Sequence, residues 1–171
     1  MQAELEEYIH CRRDSKREQD FLRRLREIPE ETRYAIIQRL LEKSHWLGLI
    51  MANGSLQNPR YFEAILQMGF KVGDASSIRF WLDCTVPKLG FRKVVCMLIA
   101  LMGTNPVAVA KAIYWMPRFK PQNNPKADQV WNDLKARQEK TVNPERSEPA
   151  WIGPANPYQN SQNSFGASYD I

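Results

Sequence analysis

An all-α fold of about six to seven helices, ending in a disordered C-terminal tail, is what this 171-residue sequence predicts. Three observations carry that expectation. Asn-Pro occurs five times, at Pro59, Pro106, Pro125, Pro144 and Pro157, out of 11 prolines. Asn accepts a bond from an orphan N–H at a helix start, and Pro at the first helical position lacks the donor that would go unpaired there. No stretch alternates apolar and polar residues with the period of two that a half-buried strand requires. Finally, Ala64, Ile65 and Met68 return 48 residues later as Ala112, Ile113 and Met116, each copy preceded by an apolar run, a glycine and an Asn-Pro pair.

Taken in order, residues 3–27 are dense in charge, with Asp20 facing Arg23 and Arg24 and apolar residues at Leu5, Tyr8, Ile9, Phe21, Leu22 and Leu25. They read as a charged helix weakly anchored over residues 12–20. Pro29, Glu30 and Glu31 suit a first turn, where the helix dipole favours acids, and Ile36, Ile37, Leu40, Leu41 and Leu47 continue one face. After Asn58-Pro59 come Phe62, Ile65 and Leu66. Asp74 is expected to cap a short helix with Ile78, Trp81 and Leu82, stopped ahead of Pro87. The run from Phe91 to Met102 is apolar nearly all round and is expected to be the central, most buried helix, with Leu98 and Ile99 fully buried. Asn105-Pro106 opens a helix with Val109, Ala110 and Ile113, and Asn124-Pro125 one with Ala127, Val130, Trp131 and Leu134. Beyond Thr141 the composition turns to Asn, Gln, Ser, Pro and Gly without helical period, the signature of a disordered or partner-ordered tail.

In period and punctuation, residues 44–119 resemble the helical pairs of HEAT and armadillo repeats, whose period is about 40 to 47 residues. That resemblance implies either stacked helical hairpins that bind a partner or an irregular helical bundle. The organisation follows: a charged helix over 1–28, an all-α core over 29–140 and a partner-binding tail over 141–171.

Charge is unevenly spread. The first 45 residues balance at 10 basic and 10 acidic, residues 46–140 carry 13 basic against 6 acidic, and residues 141–171 carry 1 against 3. A core with excess positive charge favours an acidic partner or nucleic acid. The acidic residues 1–7 resemble no secretory signal and no lipidation motif is present, so a cytoplasmic location is expected. Three cysteines, Cys11, Cys84 and Cys96, read as reduced thiols rather than a disulfide frame.

Residues 94–116 hold one charge, Lys111, and are long enough to span a bilayer, but Gly103, Thr104, Asn105 and Pro106 interrupt them. Two buried helices are therefore expected, membrane association being an alternative. A basic and aromatic patch, Tyr114, Trp115, Arg118, Phe119 and Lys120 with Lys126, has the residue types that stack bases and track phosphates. Equally, such cations complement a helix end while Trp115 packs inward. In the tail, Trp151, Tyr158 and Phe165 recur every seven residues, with Ile152 and Tyr169 alongside, as candidate docking anchors.

Catalytic and metal chemistry find little support. His10 and His45 are the only histidines, and no pair stands at ligand spacing apart from adjacent His10 and Cys11. No Gly-rich phosphate loop exists, and a dyad of His45 with Cys84 or Cys96 has no local motif. No catalytic residue, metal ligand or cofactor is therefore expected, nor a small-molecule ligand. The expectation is a non-enzymatic adaptor or regulatory subunit docking on a larger protein assembly through a helical surface and its tail. A nucleic-acid-binding helical protein using the basic patch is the alternative.

Overall fold

The computed structural model describes residues 15–72 and 76–142. Among them are eight α-helices and one 3-10 turn, with no strand. In chain order they are α1 (Ser15–Glu27), α2 (Glu30–Lys43), α3 (His45–Ser55), α4 (Pro59–Val72), α5 (Ile78–Leu89), α6 (Phe91–Leu101), α7 (Pro106–Trp115), the 3-10 turn Met116–Phe119, and α8 (Pro125–Val142). Residues 1–138 form one unit, and of the second, residues 139–171, only the last turn of α8 is described. Asp74 and the tail residues Trp151, Ile152, Tyr158, Phe165 and Tyr169 lie outside the described residues.

All three Asn-Pro helix starts are where the sequence places them. Asn105 and Asn124 each accept from the N–H three residues on, Ala108 and Ala127, at 3.1 Å. Asn58 accepts instead from Arg60, two residues on, at 3.1 Å, while its own N–H donates to the Glu30 carboxylate at 2.9 Å. The echo in punctuation is thus not an echo in cap geometry.

Packing departs from the repeat further. The closest helix pairs are α2 with α3 and α4 with α5, whereas the glycine and Asn-Pro links join α3 to α4 and α6 to α7. The result is an irregular bundle rather than two equivalent hairpins. Ser44, extended at φ −151°, ends α2 and starts α3 within a single residue, splitting what the sequence reads as one continuous face. The α4/α5 pair depends on Gly69, where an added Cβ would stand 2.4 Å from the Trp81 ring. Only hydrogen at that position lets the indole lie against the α4 backbone.

The central helix is α5, packed against α3, α4, α6 and α7. Ile78, Trp81, Leu82, Cys84, Thr85 and Val86 are all buried on it. Its polar atoms are satisfied locally: Trp81 Nε1 donates to Ser77 Oγ (3.3 Å) and Thr85 Oγ1 to the Trp81 carbonyl (2.8 Å). The expectation that residues 91–102 hold the centre is corrected accordingly. In α6, Arg92, Lys93, Cys96 and Ala100 are exposed and Ile99 is only half-buried, while Leu98 is fully buried. A helix is buried by how many neighbours pack against it, and α5 has four, leaving only the side with Arg79, Phe80 and Asp83 exposed. Nor does α5 stop before Pro87. In the last turn proline forfeits one intrahelical bond, and the Gly90 N–H closes the helix on the Val86 carbonyl at 2.8 Å.

The apolar residues of the charged N-terminal segment anchor its C-terminal half. Phe21 and Leu25 enter the core, where each buried side chain contributes about 1.5–3 kcal/mol. Three charged residues then tie α1 and α2 to the α3–α4 link. Arg26 donates to the Gly54 carbonyl at 2.9 Å and Arg33 to the Ser55 carbonyl at 2.5 Å, satisfying two orphan acceptors at the end of α3. Glu30 accepts from the N–H groups of Gln57 (2.6 Å) and Asn58 (2.9 Å). Those two bonds, with Arg33 and Arg60 nearby, hold its carboxyl below the ordinary glutamate value.

Candidate docking surface

Helix α3 is apolar on almost every side, so burying one face leaves another uncovered. Trp46, Leu49, Ile50 and Asn53 follow one stripe at i, i+3, i+4 and i+7, and with Phe80, Asp83 and Cys84 of α5 they line an open cleft of about 170 Å³. Leu49 and Cys84 lie buried in it, the Cys84 thiol donating to the Leu49 carbonyl at 3.6 Å, whereas Trp46 is 39% and Phe80 49% exposed. Phe80 faces out for a geometric reason. Successive helical residues point about 100° apart, so with Trp81 and Leu82 both turned to the core, Phe80 falls on the side of α5 that carries exposed Arg79 and Asp83.

Asp83 joins this cleft to the sequence-predicted patch. It pairs with Arg118 and also faces Arg79 at 3.7 Å. The two guanidinium groups in turn lie over the same indole, Trp115, at 5.0 Å for Arg79 and 5.5 Å for Arg118. Arg118 also covers the Phe119 ring at 4.6 Å, and Tyr114 meets Trp115 edge-on at 5.0 Å. Cation–π contacts of this kind contribute about 0.5–1 kcal/mol when exposed and more when desolvated. Partial burial, and then the neighbouring Arg79 charge, hold the Arg118 guanidinium below its ordinary value, though it remains a cation at any physiological pH.

Tyr114, Trp115, Arg118 and Phe119 are therefore brought together, with Tyr114 74% exposed. Lys120 is drawn instead to Asp128 of α8, and Lys126 stands exposed on the first turn of that helix. Asp83 and Asp128 thus engage two of the cations a phosphate backbone would need. Sequence reasoning missed Trp46, Ile50, Phe80, Arg79 and Asp83. Adjacent aromatics do not give it away, since Phe80 is exposed beside buried Trp81 whereas Tyr61 and Phe62 are both buried.

Other features offer less chemistry. A second cleft, about 390 Å³, is lined by Gln67, Phe70, Lys71, Leu101, Thr104 and Asn105, where the Thr104 hydroxyl donates to the Leu101 carbonyl at 3.0 Å and the Asn105 side-chain amide to the Phe70 carbonyl at 2.6 Å. Burial pushes the Cys84 thiol up to about 12, the opposite of what a nucleophile needs. Among the described residues no group of three or more His, Cys, Asp or Glu could hold a metal ion, and no helix is long and apolar enough to cross a membrane. Residues 94–116 form two helices, α6 and α7, separated by residues 102–105. Compared with known proteins, the chain matches no protein family, no curated sequence and no solved structure.

Proposed function

We propose that this chain is a non-enzymatic docking module, an adaptor or regulatory subunit that binds a protein partner through the α3/α5 cleft and the adjoining Trp115 cluster. One observation carries the reading: Trp46 and Phe80, large apolar side chains, are presented to solvent around a single cleft. Aromatic anchors surrounded by contacts that exclude water are the usual core of a protein interface. At about 170 Å³ the cleft is smaller than the roughly 300–1,000 Å³ of small-molecule sites, and suits one or two partner side chains. Tail residues Trp151, Ile152, Tyr158, Phe165 and Tyr169 are proposed as a second contact to the same assembly.

A photo-crosslinking amino acid at position 80 tests this, with one at Gln129, exposed on α8, as control. After irradiation in the native cell and purification with and without nuclease, a discrete protein adduct should form from position 80 and survive nuclease. Adducts equal at both positions, or a nuclease-sensitive one, would overturn the reading. Deleting residues 141–171 should weaken capture of the crosslinked protein, and undiminished capture would remove the tail from the interface.

A further inference from the structure

Resting on the docking reading, we infer that the partner element seated in the α3/α5 cleft is an acidic amphipathic helix. Shape supplies the first argument. No strand, and hence no sheet edge, exists among the described residues to take up an extended peptide. What the cleft offers is a valley between two helices, whose stripe from Trp46 to Asn53 runs about 10 Å at 1.5 Å per residue. That length accepts side chains one and two turns apart on a third helix, as when an amphipathic helix lays its apolar face into a groove.

Charge supplies the second argument and selects the sign. Beside the cleft, Arg79 and Arg118 share a single carboxylate, Asp83. Two guanidinium groups carry ten N–H donors and one unit of positive charge beyond what Asp83 cancels. Trp115 holds both guanidinium groups in place without consuming their charge. A glutamate or aspartate on the seated helix, one turn from its apolar anchors, meets these donors. A lysine there adds a third cation to the pair.

Three labelled 16-residue helical peptides test the inference, all with Leu and Phe anchors at i, i+3, i+4 and i+7 and differing only in whether Glu, Gln or Lys fills the polar face. Binding to the full chain is read by fluorescence anisotropy at low and physiological salt. The Glu peptide should bind at least about tenfold more tightly than the Gln peptide, and the Lys peptide more weakly than both. Phe80→Glu should abolish binding, and Arg79→Gln should weaken the Glu peptide by a larger factor than the Gln peptide and so shrink the Glu-over-Gln preference. Because Phe80 and Arg79 are both exposed, circular dichroism of these two variants should match wild type. Equal affinity for Glu and Gln peptides would overturn the inference but leave the docking reading standing. Binding that ignores Phe80→Glu would overturn it too, and the crosslink at position 80 then decides the docking reading separately. A ten-residue oligouridine that outcompetes the Glu peptide in an Arg79-dependent way would overturn it in favour of nucleic acid.

Discussion

Replacing Gly69 by alanine tests the α4/α5 contact on which the central helix depends. The added methyl would stand 2.4 Å from Trp81 Cδ2, 2.7 Å from Cγ and 2.8 Å from Cε3. Carbon atoms rest about 3.5–4.0 Å apart, so the indole would have to retreat by about 1 Å or more. Trp81 has nowhere to go. It is fully buried, its N–H is bonded to Ser77, and the His45 ring lies 5.4 Å away. Overpacking of this kind costs about 1–3 kcal/mol, against which alanine regains about 1 kcal/mol of helix propensity over glycine. A net destabilisation of up to about 2 kcal/mol follows, lowering Tm by up to roughly 10 °C for a domain of this size. Thermal and urea melts followed by circular dichroism measure it, with Gly103→Ala as control. Gly103 is exposed, an added Cβ there meets nothing within 4 Å, and its change should stay within about 0.5 kcal/mol. If Gly69→Ala melts at or above the wild type, the close approach of Trp81 to α4 is not what holds the pair together.

Leu98 is fully buried in α6, so Leu98→Ala should cost about 2–5 kcal/mol in a urea melt, and an unmoved midpoint would remove α6 from the core. Glu30 is held below its ordinary 4.5 by the Gln57 and Asn58 N–H groups, so its contribution is present above that pH and is lost as pH falls through its lower folded value. Glu30→Gln should therefore make the acid limb of the stability curve shallower, by under about 1 kcal/mol because the group is largely solvated; an unchanged limb would discount the two bonds. At pH 8, about the ordinary thiol range, iodoacetamide should modify exposed Cys96 and spare Cys84, whose thiol burial raises to about 12. Peptide mapping showing Cys84 labelled first would mean the cleft opens to the core.

Helix boundaries set by local chemistry were legible from the residues themselves. Asn-Pro at 58, 105 and 124 starts a helix each time, because cap and missing donor both act within three residues. Burial was not legible, because it depends on neighbours distant in sequence. Composition favoured α6 for the centre, yet α5, with Arg79 and Asp83 exposed on one side, is the helix that packs against four others. The same reason hid the candidate surface. Trp46 reads as one more core residue of an apolar run, and only the arrangement of α3 against α5 leaves it beside Phe80 at an open cleft. Arg118, readable from sequence as a free cation, is paired with an aspartate 35 residues earlier in the chain. What the sequence by itself determined is the all-α class, the three Asn-Pro helix starts and the aromatic-cation cluster at 114–119, since these follow from interactions between near neighbours. Tertiary structure alone decided which apolar faces remain uncovered and which charges are already paired, because both depend on which helices meet.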